Sequence, residues 1–305
     1  MALANTSDSY GSVTRVFHWL TALLILTAMP LGLIAYNMPE GSDAEITRKA
    51  LAFSIHKTVG VAAFFVALAR ILWALTQTKP NPVHADRKGE TVLAETVHWV
   101  LYVSLVIVPL SGWLHHAALS GFAPILWPFG QTLPFVPQDP AVADFFGAWH
   151  WLFTKVLGAA IFLHIAGALK HAFIDKDGVL ARMSVGRPAG PIEGHHARSP
   201  LLYASVLWAA TIAAGSALAL VGEEERDVAA LAEVASDWTV EDGTLAIEVL
   251  QLGNPASGGF EDWTAAITFD ENAQGEQKGT AEVTVAIGSL ALSGVVDQAL
   301  SPDFF

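Results

Sequence analysis

Five apolar runs, at about residues 16–36, 55–76, 94–116, 147–173 and 201–222, constrain this chain of 305 residues more than any other feature. Each is long enough to cross about 30 Å of hydrocarbon. Within a bilayer the backbone has to satisfy its own hydrogen bonds, so runs of this length predict transmembrane α-helices. Composition agrees: 53% of residues are hydrophobic and 15% charged, with ten Trp and sixteen Phe, more than one soluble core of this length needs. The first run begins with Arg15 and has no small-residue cleavage site after a short apolar core, so it predicts a retained helix rather than a removable signal peptide.

Charge divides the chain. Residues 1–200 hold 14 Lys/Arg against 12 Asp/Glu, whereas residues 201–305 hold 2 against 17, for a net −13 overall. Such an acidic tail disfavours nucleic acid, and the basic residues of the first part lie in short loops instead of a stripe. Lys79, Arg87 and Lys88 follow the second run, and Lys176, Arg182, Arg187 and Arg198 follow the fourth, while 117–146 has no Lys or Arg. By the positive-inside rule the N-terminus is cytoplasmic, although Arg48 and Lys49 among Glu40, Asp43 and Glu45 form a mild exception. An odd number of spans then exports everything after residue 222.

Four histidines stand near the ends of three runs: His18, His56, His150 and His164. Imidazoles within a membrane are rare and read as functional. His150 and His164 are 14 residues apart on one predicted helix, which at 1.5 Å per residue is about 21 Å and about 40° off the same face. With the orientation above, His56 and His150 share the periplasmic level and His18 and His164 the cytoplasmic one. Cysteine is absent, which excludes disulfides, thiolate zinc sites, iron–sulfur ligation and c-type haem attachment. Two axial imidazoles at each of two levels are the ligand set of low-spin b-type haem held in a helix bundle.

The remaining polar groups in the spans are weighed against ordinary roles. Lys57 and Lys155 at the outer level, and Arg15 and Arg70 at the inner, are candidates to meet haem propionates, against snorkelling to headgroups. Gly60, Gly112, Gly158 and Gly167 would make room for a macrocycle or serve plain helix packing. His98, His115 and His116, at the ends of the third helix, are expected in the hydrated interface, with a quinone edge as the alternative. His171 shares the face of His164 and competes with it as inner ligand, while His84, His195 and His196 fall in polar loops with no specific role expected.

After an acidic linker the pattern turns to β. TLAIEVLQ, TAAITFD and AEVTVAI, at about 244–251, 264–270 and 281–287, alternate between turn residues and predict a small antiparallel domain.

Several motifs carry a resemblance. R-V-F-H-W-L at 15–20, H-K-T-V-G at 56–60, H-W-V-L-Y at 98–102, W-H-W at 149–151, and H-I-A-G-A-L-K-H at 164–171 leading to D-G-V-L-A-R-M at 177–183 resemble the bacterial cytochrome b561 family over about residues 10–185. The resemblance implies four helices holding two b haems on His18, His56, His150 and His164, and electron passage between a quinol or quinone pool and another carrier. D-W-T-V at 237–240, G-G-F-E-D-W-T-A-A-I-T-F-D at 258–270, V-A-I-G-S-L at 285–290 and L-S-P-D-F-F at 300–305 resemble the first part of YceI-like domains, lipocalin-like barrels that bind isoprenoid lipids such as quinones. Such domains are more than twice this length, so the barrel is expected to be partial.

The expected fold is an all-α membrane four-helix bundle with two haem sites, a fifth transmembrane helix and a C-terminal antiparallel β domain, a partial lipocalin-like barrel. Its divisions are a dihaem cytochrome domain at 1–185, a cytoplasmic linker at 186–200, a span at 201–222, an acidic linker at 223–236 and a YceI-like domain at 237–305. The expected function is electron transfer between the quinone pool and a periplasmic partner through two haem b groups, in a bacterial inner membrane. Ubiquinone or another isoprenoid quinone, membrane lipid and a second copy of the chain as a homodimer are the further partners compatible with it. A transporter with a His proton relay is the alternative, but the spans offer it little acid beyond Glu95 and Asp144. An anchor for a periplasmic lipid-binding domain would need only one helix.

Overall fold

The structure, a computed structural model, describes residues 2–84, 86–119, 123–189, 199–221, 231, 236, 238, 240, 242–251, 254–272 and 278–292. Five of its helices are long and apolar enough to cross a membrane. They are α1 (Ser12–Tyr36), α2 (Asp43–Leu75), α3 (Lys88–Ala117), α4 (Pro140–Lys170) and α6 (Ser199–Val221), with the short α5 (Val179–Ser184) between the last two. The count matches the expected five, but α2, α3 and α4 begin 6 to 12 residues earlier than their apolar runs. A helix has no reason to stop where the hydrocarbon does. Local signals decide instead, as at α4, where the Asp139 side chain accepts from Ala141 N–H at 2.8 Å and Pro140 occupies the first turn.

α1 packs along α2 and α3 along α4, and the two hairpins meet mainly along α2 and α3. The core between them is Ile25, Ala63, Ala67, Leu105, Val108, Phe153 and Leu157. Ala63 and Ala67 let backbones approach, which is how membrane helices gain contact without a hydrophobic driving force between them. Hydroxyls in the spans bond back along their own helix: Thr21 to Phe17, Thr58 to Ser54, Ser111 to Ile107 and Thr154 to His150. Leu23, Phe162 and Leu202 point outward, as lipid allows. Helix α6 lies on α3 and α4, with Ala204 and Trp208 against Val97, Val100 and Ala160, and Trp149 donating to Ser216.

One end of the bundle is tied by polar contacts. Buried Arg182 on α5 donates to the Asp8 and Asn81 carbonyls at 2.8 and 3.0 Å, joining the N-terminal segment and the α2–α3 loop. Asn5 adds bonds to Gln77, Thr78, Gly11 and Thr14. Burial holds the Arg182 guanidinium below its ordinary pKa.

The C-terminal region is antiparallel β, as expected. β1 (Leu245–Gln251), β2 (Asn254–Phe260) and β5 (Leu290–Leu292) form one sheet in the order β1-β2-β5, while β3 (Trp263–Phe269) pairs with β4 (Gly279–Val285). β1, β3 and β4 fall on the three expected stretches. β2, NPASGGF, was hidden by Gly, Pro and Ser, which read as turn. Among the described residues the strands form two sheets and not one closed barrel.

Candidate functional site

Each long histidine pair is supplied by helices of opposite hairpins. The rings of His56 on α2 and His150 on α4 have centroids 6.2 Å apart at 82°, and those of His18 on α1 and His164 on α4 are 5.9 Å apart at 60°. The fold thus sets His56 beside His150 and His18 beside His164. A transition metal sits about 2.0–2.1 Å from an imidazole nitrogen, so two imidazoles on opposite sides of one ion have centroids about 6.4 Å apart. Both separations match that span closely.

The first pair is held from behind. His56 Nδ1–H donates to the Ala28 carbonyl of α1 at 2.9 Å, and His150 Nδ1–H donates to the Val108 carbonyl of α3 at 2.8 Å. Fixing the proton on Nδ1 leaves the Nε2 lone pair for a metal, the usual division of labour in a ligating histidine. Each ring lies on a glycine one turn beyond its carbonyl. A Cβ at Gly32 would fall 2.6 Å from His56 Cε1, and one at Gly112 would fall 2.8 Å from Cε1 and Nδ1 of His150. Gly112 was among the glycines singled out, but for room beside a macrocycle; its contact here is the imidazole. Gly32 was not singled out.

Room is found at other glycines. A Cβ on Gly60, one turn from His56, or on Gly167, one turn from His164, would meet no atom within 4 Å. A Cβ on Gly158 would fall 3.4 Å from Met29 Cε, in ordinary contact. Imidazole pairs at metal-spanning separation and open space beside one helix at each level fit a planar metal macrocycle; the Nε2 lone pair is already exposed by the hydrogen bonding of His56 and His150, whereas His18 Nδ1 accepts from Arg70.

The cations are placed unequally. Arg70 Nη2 donates to His18 Nδ1 at 3.4 Å and its guanidinium lies over Tyr102 at 5.3 Å, so it stands at the His18–His164 level. Arg15 donates to the Ser184 carbonyl at 3.2 Å. Lys57 is partly buried, with its Nζ 3.1 Å from His116 Nδ1 and donating to the Ala123 carbonyl at 3.0 Å. Lys155 is exposed and lies over the Trp151 ring at 5.2 Å, the placement snorkelling predicts.

Three other histidines have defined neighbours. His98 is eleven positions into α3, its ring 5.2 Å from that of His164. His116 is buried and hydrogen-bonded to Lys57 and Gln131, while His115 Nδ1–H donates to the Ala143 carbonyl at 2.7 Å. His171 is not near the His18–His164 pair in its contacts: Nδ1–H donates to Asp177 Oδ2 at 2.6 Å, and the ring stacks on His84, which reaches the same oxygen at 2.8 Å. Burial alone would push the Asp177 carboxyl up, but the Val179 N–H and the two imidazoles hold it below the ordinary value. His195 and His196 lie outside the described residues.

Five apolar helices with imidazole pairs facing one another at two levels define a multi-pass helical membrane protein with a paired-histidine interior. Comparison with known proteins gives that class its family. The chain belongs to the prokaryotic cytochrome b561 family, whose model matches residues 9–186. Cytochrome b561 homolog 2 of Escherichia coli (strain K12) is 30% identical over 186 residues, 60% of this chain and 95% of the relative. The probable superoxide oxidase CybB of Yersinia pestis is 28% identical over 177 residues, covering 57% and 94% of the two chains. Cytochrome b561 homolog 1 of Escherichia coli (strain K12) is 23% identical over 175 residues, 56% and 95% of the two. Members of the family bind haem b, carry electrons in the membrane and generally deal with the quinone pool; the chain is a membrane b-type cytochrome.

Proposed function

We propose that this cytochrome holds two b haems, one between His56 and His150 and one between His18 and His164, and passes electrons across the bilayer between a quinone and a partner on the periplasmic side. The observation that carries the reading is the separation of the two ring pairs, 6.2 and 5.9 Å, in a helix bundle without cysteine. The haem iron supplies the one-electron chemistry. The protein's own part is to hold imidazoles, exclude water and tune potential through ligand basicity, burial and nearby charge.

Ala28 and Val108 carbonyls raise the basicity of His56 and His150 by accepting their Nδ1 protons. Arg70 is the propionate partner at the His18 level: an anionic propionate would draw the guanidinium from His18 Nδ1 and return that nitrogen to a donor. Lys57 is the corresponding cation near His56. Arg15 and Lys155, occupied at Ser184 and Trp151, are the lesser partners. The proposed orientation puts the N-terminus in the cytoplasm, with α6 delivering residues 223–305 to the periplasm. The YceI-like lipid-binding role of that region is proposed as an attachment that keeps an isoprenoid near the cytochrome.

For the electron donor, superoxide is a second reading beside quinol, favoured by the name of the Yersinia pestis relative and by the Lys57 cation at the His56 level. Stopped-flow mixing of oxidised protein with quinol, and separately with superoxide, distinguishes them. Reduction of haem by quinol is expected; reduction by superoxide alone would make superoxide the donor and leave quinone as the acceptor, and reduction by neither would overturn both donor readings.

A further inference from the structure

We propose that His84, His171 and Asp177 form a binding site for a divalent first-row transition metal of the zinc type, with Asp175 at its fourth corner. The site is separate from both histidine pairs. One nitrogen from each of the two imidazoles and one oxygen from each carboxylate all lie within 4.8 Å of one another. His84 Nε2 and His171 Nδ1 both point at Asp177 Oδ2, at 2.8 and 2.6 Å, and Asp175 Oδ2 is 3.4 Å from His171 Nδ1. Two imidazoles and a carboxylate are a frequent ligand set for zinc and its neighbours, whereas magnesium and calcium take oxygen ligands.

The backbone shapes the cluster. α4 ends in a single π turn, His171–Asp175, followed by Lys176 in the left-handed region at φ 53. Those two departures turn Asp177 back onto the imidazole six residues before it, and the Val179 N–H fixes its other oxygen at 3.1 Å. His84 arrives from the α2–α3 loop and stacks on His171 with ring planes 5° apart. The carboxylate is almost covered while each imidazole keeps about a quarter of its surface open, which gives an ion a path in.

Charge nearby sets the strength. Asp175 is already paired with Lys170 at 2.8 Å and Arg87 at 3.1 Å, and Lys170 also meets Glu90. Those cations oppose a metal and hold back the fourth ligand. Binding therefore replaces the protons that now join the imidazoles to Asp177 and is opposed by Lys170.

The test is calorimetric titration of Zn²⁺ into haem-loaded, full-length protein stripped of adventitious metal, with metal counted after dialysis. Wild type is expected to take up zinc with an affinity that falls tenfold or more in His84→Ala and Asp177→Asn. Lys170→Ala, which keeps every ligand, is expected to bind several-fold more tightly. The haem spectrum and thermal midpoint of each variant report folding independently of zinc. Equal binding in wild type, His84→Ala and Asp177→Asn overturns the site, as does zinc uptake that disappears only in a His195→Ala, His196→Ala double variant. If the ligand variants fail to fold, an unchanged zinc affinity in Lys170→Ala overturns it alone.

Discussion

Two glycines set how close the imidazoles of one pair can come to neighbouring helices. With a Cβ at Gly112 only 2.8 Å from the His150 ring, Gly112→Ala has to move either the ring or the helix. The expected result is a loss of about one haem per chain, read by pyridine haemochrome assay, with the His18–His164 haem retained; Gly32→Ala should do the same through His56. Arg182 is decisive in a different way. Arg182→Ala strips donors from the part-buried Asp8 and Asn81 carbonyls, and at about 1–3 kcal/mol for each group left unsatisfied the stability loss should be roughly 2–6 kcal/mol. Thermal unfolding checks this, and Arg182→Lys should recover only part, because an ammonium lacks the planar fork that reaches both carbonyls. The four histidines could be found in the sequence because polar groups stand out in an apolar run. Gly32 could not, since glycine is common in membrane helices and only the tertiary approach of His56 gives it a role. The His84–Asp177–His171 cluster was hidden for a similar reason: 87 residues separate its histidines, and a π turn with a left-handed Lys176 is needed to close it.

At the scale of elements, hydropathy located all five long helices but not their ends. α2 begins at Asp43 and α3 at Lys88, because backbone hydrogen bonding continues into the polar layer where apolar composition stops. His98, eleven positions into α3, lies beside His164 of α4. β2 escaped because its glycines carry no alternation, although its register with β1, Leu245 opposite Phe260 through Gln251 opposite Asn254, is regular. The fifth long helix is an addition to the cytochrome unit. A Cβ at Gly215 would sit 2.9 Å from Trp149 Cδ1, so Gly215→Leu should push α6 off α4 and lower the thermal midpoint while leaving the haem spectrum unchanged. Loss of haem from that variant would mean that α6 also shapes the His150 level.

For the whole molecule, the arrangement is two helical hairpins touching along α2 and α3, with imidazoles bridging what the other helices leave open. The proposed orientation predicts that a periplasm-dependent reporter fused after residue 222 is active; activity only from a cytoplasmic reporter would invert the topology. Electron transfer across the bilayer requires two haems at separate depths, so ligand loss must be local to one depth. The decisive measurement is haem content and reduced-minus-oxidised spectrum of wild type beside His56→Ala and His18→Ala. About two b haems per chain in wild type and about one, spectrally different, in each variant is the predicted result. A single haem in wild type, or loss of all haem from both variants with the fold intact, would contradict it.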